Sequence, residues 1–262
     1  MEASFNPNKS IIPIWQPQGY STYFITKKVA EKLGQKTTHT GVLDPMAEGV
    51  ILVLAGETRL EKNNYTNGIK TYEFDISFGI KTDSYDGMGL TMCPIEFPIF
   101  SLNEISSVLP KFVGKYSQTV PLYSARKVNG KKLFMYPKLG LDLPELPEKH
   151  GEIFSLELIS IKTENTGELI SNIISKIKNI KLGEFRQEEI ISSWNRFLAE
   201  LNSSHTTITA TFNVEMTRGL YVRSLSQDIC GELGTIGMVS NLIRTKNGVY
   251  EKKDCCTLEE VC

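Results

Sequence analysis

The sequence predicts a mixed α+β fold carrying an inserted helical hairpin, on three observations. An apolar run, Val50 to Ala55, is bounded by Gly49 and Gly56 as a buried strand would be. A stretch with helical spacing, Thr22 to Leu33, stops at Gly34. Finally, Ile153 to Lys162 and Thr206 to Met216 alternate like strands while the period between them changes to that of helices.

Taken in order, Met1 to Tyr20 is rich in Pro, Asn and Gln, and the amphipathic helix Thr22 to Leu33 follows. A polar loop leads to Asp44, then to the buried strand, and Tyr72 to Phe78 alternates as a half-buried strand. Leu102 to Val108 reads as a helix ending before Pro110, and Ser224 to Leu233 as another. Within residues 163–205, Ile170, Ile173, Ile174, Ile177 and Ile180 mark one apolar face. Ile190, Ile191, Trp194, Phe197, Leu198 and Leu201 mark a second, with Gly183 in the connection. These stripes are expected to pack on each other and on the main body, and an exposed remainder is free to meet RNA or a partner. No repeat or low-complexity tract divides the chain, so residues 1–262 are expected to form one domain.

With 262 residues, 40% hydrophobic and 23% charged, the composition is that of a globular protein and excludes disorder and fibre. Val50 to Ala55 is the longest strongly apolar run, far short of a membrane span, and the N-terminus lacks a secretory pattern. A cytoplasmic protein is the expectation. Cys93, Cys230, Cys255, Cys256 and Cys262 show no CxxC spacing and, with three histidines, no zinc pattern, so reduced thiols and no metal are expected.

A net charge of −1 does not decide for or against nucleic acid, because phosphate binding depends on where the positive charges sit. Residues 111–138 carry Lys111, Lys115, Arg126, Lys127, Lys131, Lys132 and Lys138 without one acidic residue. Phe112, Tyr116, Tyr123, Phe134 and Tyr136 lie between them. Such a segment can grip RNA through phosphates and stacked bases. It can equally be a solvated loop with core aromatics, and composition leaves both open.

The most informative stretch runs His39-Thr40-Gly41-Val42-Leu43-Asp44-Pro45-Met46-Ala47-Glu48-Gly49, where two glycines and a proline hold a carboxylate in a loop before a buried strand. A rigid loop is a good mount for a reactive group. On spacing alone, Asp-Pro is also an ordinary turn and His39 an ordinary hydrogen-bonding neighbour. The stretch closely resembles the HTGxLDPxAxG signature of TruB-type pseudouridine synthases. Further blocks resemble that family in the expected order: Lys70-Thr71-Tyr72, then Gly79 to Asp86 (GIKTDSYD, including Thr82 and Asp83), then Pro121 to Tyr136. Gly219 to Leu225 and Asn241-Leu242-Ile243-Arg244 complete the set, so the resemblance covers nearly everything outside the hairpin.

The resemblance implies a pseudouridine-synthase catalytic fold, a central and mostly antiparallel sheet flanked by helices and loops. It implies conversion of uridine to pseudouridine at position 55 in the T loop of tRNA, with no cofactor. Asp44 is the implied nucleophile, acting on C1′ of the ribose, on C6 of the base, or along a glycal route. Arg223 is the implied charge partner, since a desolvated carboxylate needs a neighbouring cation to stay ionised. Tyr72 is expected to stack on the extruded uracil, Tyr221 to pack against the base or to order the pair, His39 to sit at the mouth, and Leu242 to line the pocket. Lys127, Lys131 and Lys132 are expected on phosphates, and Thr82 and Asp83 among the substrate-binding residues. A monomer without an obligatory protein partner is implied.

Three departures accompany the match. Gln16, in Trp15-Gln16-Pro17-Gln18-Gly19-Tyr20-Ser21, stands where the family has lysine, which puts local geometry in question. Thr38 stands where many members have glycine, and the chain ends soon after Thr257 to Glu260, leaving no room for the PUA domain of many relatives. Two other readings use the same fold. One is a non-catalytic tRNA-binding protein; the other is a guide-dependent synthase of the dyskerin type, a branch that normally relies on a PUA domain.

Overall fold

The computed structural model describes residues 4–92, 97–181, 183–202 and 204–261, so Cys93 and Cys262 lie outside the described residues. The first half of the chain runs β1 (Ile11–Gln16), α1 (Thr22–Leu33), β2 (Thr37–His39), β3 (Glu48–Ala55), α2 (Lys62–Thr66) and β4 (Lys70–Phe78). A small ribbon β5 (Lys81–Thr82) and β6 (Thr91–Met92), then α3 (Leu102–Val108) and β7 (Gly114–Thr119), follow. A second ribbon, β8 (Lys127–Val128) and β9 (Lys131–Lys132), precedes α4 (Met135–Lys138) and the long β10 (Glu148–Asn165). Then come α5 (Thr166–Lys178), α6 (Gln187–Glu200), β11 (Thr206–Met216), α7 (Val222–Glu232), β12 (Gly237–Asn247), β13 (Tyr250–Glu251) and α8 (Leu258–Val261).

The main sheet has the order β1-β3-β12-β4-β11-β10-β7, with β2 beside β3 and β13 beside β12. Every pairing is antiparallel except β12 with β3, which meet in parallel at Ile243↔Glu48 and Arg244↔Gly49. Gly49 is required there. Its φ is 129°, and a Cβ would fall 2.3 Å from the Arg244 carbonyl oxygen and 2.6 Å from its nitrogen. A side chain would therefore push β12 off β3 beside the Asp44 loop.

Helix α1 starts because the Ser21 side chain accepts the Phe24 amide at 3.1 Å, and it stops where Gly34 takes the left-handed conformation. Ile25 and Val29 bury its inner face in the main core, with Phe74, Phe212, Leu225 and Ile229. Strands β10 and β11 stay paired as far as Asn165↔Thr206, and α5 and α6 are inserted beyond that last pair. Their stripes do pack on each other, and a second core forms from Ile170, Ile173, Ile190, Trp194 and Phe197 with Met46, Ile80 and Met88 of the body. Burying each such side chain stabilises by roughly 1.5–3 kcal/mol. The indole of Trp194 donates to the Gly87 carbonyl at 3.0 Å, so the hairpin braces the loops around Asp44 and Asp86 from behind.

Within residues 111–138, Phe112 and Tyr116 belong to the main core and Tyr136 packs with Val120 and Leu133. Those three rings are closed to bases, whereas Tyr123 and Phe134 line the central cleft. Among the described residues no helix is long and apolar enough to cross a membrane. Cys230, Cys255 and Cys256 are buried, and burial pushes the Cys230 thiol up to about 12 and Cys256 up to about 11, leaving both poorly reactive.

Candidate active site

The loop from Thr40 to Ala47 is tied down from several sides. The Thr40 amide donates to Leu52 O at 3.1 Å, and the Ala47 amide closes a turn on Asp44 O at 3.0 Å. The Leu43 amide donates to the Thr22 hydroxyl at 3.0 Å, which itself donates to Gln16 Oε1 at 2.7 Å. Gln16 is fully buried and also donates to Tyr20 O at 2.9 Å. The amide in place of lysine is thus built into a chain of hydrogen bonds that ends one residue from Asp44. On the other side, the Gly19 amide donates to Pro45 O at 2.9 Å and Gly19 O accepts from the Lys181 amide at 2.9 Å. At a φ of 87°, Gly19 leaves no room for a side chain, since a Cβ would lie 2.7 Å from Asn179 O.

Helix α7 presents Arg223 to this loop from its first turn. Gln118 fixes the turn in place, accepting the Tyr221 amide at 2.5 Å and donating to Tyr221 O at 3.2 Å. Arg223 Nε donates to Asp44 Oδ2 at 2.8 Å and Nη2 to Oδ1 at 3.0 Å, a two-point contact that fixes the carboxylate plane. Nη1 donates to Ser84 O at 3.0 Å, and Nη2 donates also to Tyr123 O at 3.1 Å. The Arg223 side chain is only 4% exposed, whereas that of Asp44 is 33% exposed and faces the cleft.

A second carboxylate stands behind the first. Asp86 Oδ2 lies 3.5 Å from Arg223 Nε, and Asp86 Oδ1 accepts the Ser84 hydroxyl at 2.5 Å and the Met88 amide at 2.9 Å. Burial raises the Asp86 pKa, with Arg223 opposing and Asp44 adding to the rise. Burial works against the charge on Arg223, but Asp44 and Asp86 together outweigh it and raise its pKa. One guanidinium therefore serves two carboxylates, one a third exposed and the other largely buried.

The cleft measures about 810 Å³ and brings Asp44, Tyr72, Tyr221, Arg223 and Leu242 together on one wall system. Such a volume suits one nucleotide with its neighbours. Lys62, Lys70, Arg126, Arg218 and Arg244 line it as well, so a chain of net charge −1 presents a strongly basic cavity. Burial, reinforced by Arg244 and Arg218, lowers Lys70 to about 8. Arg244 is anchored by its Nε donating to Val50 O at 2.7 Å. Burial also raises the Tyr221 hydroxyl above its ordinary pKa.

The remaining predicted site residues stand outside this cavity. Thr82 is buried and donates to Asp86 O at 2.6 Å, shaping the Asp86 turn rather than facing the cleft. Asp83 accepts the Tyr123 hydroxyl at 2.8 Å and an Arg186 guanidinium nitrogen at 3.1 Å. Lys127, Lys131 and Lys132 are exposed on the β8–β9 ribbon beside the cleft. His39 sits in β2 opposite Val53, next to the cleft-lining Thr40. Sequence reasoning assigned no role to Asp86, Lys70, Arg218 or Arg244, and named Arg126 only as one cation of the basic segment 111–138. Asp86, Lys70, Arg126 and Arg244 lie inside matched motif blocks, which was the available signal.

Burial, then the charges of Lys62 and Arg244, lowers His39 to about 4, so its ring is neutral at pH 7. A folded-state pKa below the unfolded 6.5 means that stability is fully present above pH 6.5 and is lost as pH falls through about 4. His39→Gln removes that loss. Urea unfolding at pH 7 and pH 4 should show the variant gaining up to roughly 3 kcal/mol relative to wild type at the lower pH. An unchanged difference between the two proteins would contradict the neutral, half-buried ring.

Comparison with known proteins follows the same lines. The sequence model described as TruB family pseudouridylate synthase (N terminal domain) matches residues 27–222. The tRNA pseudouridine synthase B of Listeria monocytogenes serotype 4b (strain F2365) is 31% identical over 254 residues, covering 96% of this chain and 70% of that protein. The tRNA pseudouridine synthase B of Geobacillus thermodenitrificans (strain NG80-2) is 32% identical over 249 residues, covering 94% and 69%. Among solved structures, a Cbf5-Nop10-Gar1 complex contains a chain similar at TM-score 0.59 and 18% identity, covering 95% of this chain and 52% of that one. A chain of an H/ACA RNP bound to a substrate RNA containing 2′-deoxyuridine is similar at TM-score 0.58 and 16% identity, covering 98% and 56%. This chain thus spans about half the length of those solved chains, and at such identities the likeness concerns the fold.

Proposed function

The chain belongs to the TruB family of pseudouridylate synthases, and from that premise we propose that it isomerises uridine to pseudouridine in the T loop of tRNA, at position 55. The observation that carries the reading is the Asp44 carboxylate, exposed to a basic cleft and held at two points by a buried arginine. A nucleophile needs that combination of fixed orientation, a neighbouring cation and access.

The reaction breaks the bond from C1′ to N1, turns the base, and forms a bond from C1′ to C5. The C5 proton leaves and N1 gains one, so atoms and electrons balance without an oxidant or an added group. Asp44 supplies the carboxylate for the detachment step, whether it attacks C1′ or C6 or assists a glycal route. Arg223 holds it in position, and Asp86 with Ser84 holds Arg223. Tyr72 and Leu242 flank the extruded uracil, with the Tyr72 hydroxyl available to relay the C5 proton, taking it up as its own proton passes to solvent. Tyr221 covers the Asp44–Arg223 pair. Extrusion leaves a gap in the T loop, and the neutral His39 stands beside the loop that faces it. The basic lining, with Lys127, Lys131 and Lys132 on the adjoining ribbon, draws the T-arm phosphates to the cleft. The protein is read as a cytoplasmic monomer that works without a guide RNA.

The test is tritium release from a tRNA transcript labelled at uridine C5, using the purified protein alone. Release confined to the T-loop uridine is expected. Release only after addition of a guide RNA and partner proteins would replace this reading with the dyskerin-type one, and tight binding without release would make the protein a tRNA binder.

A further inference from the structure

The hairpin has no part in the reaction described above, yet its connecting turn reaches the cleft, where Glu184, Phe185 and Arg186 line the same cavity as Asp44. Arg186 precedes α6 with φ 61° and ψ 31°, a left-handed conformation uncommon outside glycine. Gln187 staples this turn: its Nε2 donates to Gly183 O at 2.7 Å, and its Oε1 accepts the Phe185 amide at 2.7 Å. The staple directs the Arg186 guanidinium onto the Tyr123 ring, 4.5 Å from its centroid, with Nη2 donating to Asp83 Oδ2 at 3.1 Å. The Tyr123 carbonyl in turn accepts from Arg223, so a single residue separates Arg186 from the guanidinium that holds Asp44. Beside it, Lys138 also lines the cleft and pairs with Glu184 at 2.9 Å.

We propose that Arg186, Tyr123 and Lys138 form an RNA-binding subsite built by the hairpin, in which Arg186 positions the substrate by gripping the backbone phosphate next to the target uridine. The Arg186 guanidinium donates to Asp83 through Nη2, and its side chain is 26% exposed. A guanidinium fork matches a phosphate at two points, and the partial exposure leaves this one within reach of the cleft. Stacking on Tyr123 orders the fork before RNA arrives, which lowers the entropic cost of the contact. The Lys138–Glu184 pair is exposed, and solvent screens such a pair, so a phosphate displaces Glu184 easily. The same stack leaves the Tyr123 ring under the guanidinium, so the neighbouring base stacks elsewhere and the subsite reads backbone rather than sequence.

The inference rests on the tRNA reading, and its test separates the two. Binding of a T-arm transcript is measured across a salt series for wild type, Arg186→Gln and Arg186→Lys, with turnover of the same RNA alongside. Arg186→Gln should weaken binding roughly tenfold and flatten the plot of log affinity against log salt by about 0.7–0.9, the change for one lost phosphate contact. Arg186→Lys should keep the slope, because it keeps the charge. The loss in turnover should appear in KM rather than kcat. An unchanged slope and affinity in Arg186→Gln overturns the proposal, as does a loss confined to kcat, which would make Arg186 a brace for Tyr123 alone. If wild type binds the transcript but turns none over, the functional reading fails while the salt slopes still decide the Arg186 contact.

Discussion

Replacing Asp44 with asparagine should lower pseudouridine formation by roughly four orders of magnitude or more, equivalent to about 5.4 kcal/mol in the barrier, with tRNA affinity changed only a few fold. The substitution keeps the shape of the side chain but removes the negative charge and the nucleophilic oxygen. It also turns an amide NH₂ toward a guanidinium that now finds two acceptors at 2.8 and 3.0 Å. Binding should survive because the other cations that line the cleft are separate groups, among them Lys62, Arg126 and Arg218. Tritium release over long incubations, with filter binding in parallel, checks both halves. A variant within tenfold of wild-type turnover would remove Asp44 from the centre of the mechanism.

Removing Arg223 should be the most damaging change to the fold as well as to turnover. Arg223→Ala leaves Asp86, which is 8% exposed, without the cation that offsets its burial. Breaking a buried pair by deleting one member costs roughly 3–5 kcal/mol, a large share of the 5–15 kcal/mol that holds a typical domain together. The direction of the Asp86 shift sets the pH dependence. Burial already raises its pKa, and losing Arg223 raises it further, so the deficit shrinks as pH falls and Asp86 takes up a proton. Adding Asp86→Asn to Arg223→Ala should therefore recover part of the lost stability at pH 7 without recovering activity. Denaturant unfolding of the single and double variants reads this directly, and a double variant no more stable than Arg223→Ala would mean that Asp86 does not carry the penalty.

What the sequence disclosed follows from the range of the physics involved. Helices α1, α3, α5 and α6 and strands β3 and β4 were legible because caps, breakers and periodicity act over a few residues. The Asp44 loop and Arg223 were legible because their motif blocks are contiguous. The basic cleft was not, because Lys62, Lys70, Arg126, Arg218 and Arg244 come from five separate segments and converge only after the sheet forms. In residues 111–138 the interleaving of rings and lysines reflects strand alternation: in β7, Lys115 is exposed and Tyr116 buried, as a half-buried strand demands. Asp86 appeared as one carboxylate in a polar block, and only the packing of its turn against α7 shows that it shares Arg223 with Asp44. Gln16 looked like a loss on paper. In three dimensions its buried amide makes two hydrogen bonds and supports the same loop.

The order of strands in the main sheet governs when this centre can come into being as the chain is synthesised. Strand β4, which carries Tyr72, lies between β11 and β12, and β3, which follows Asp44, lies between β1 and β12. Both partners of β4, and the β12 partner of β3, emerge from the ribosome more than a hundred residues later, so each of these early strands must wait with an unpaired edge. Closing such long loops before any pairing rewards it makes assembly slow. Helices α5 and α6, by contrast, contact each other through near neighbours and can form as soon as they emerge. The hairpin is then ready to cover Met46 and Met88 while the rest of the sheet is still waiting for β12.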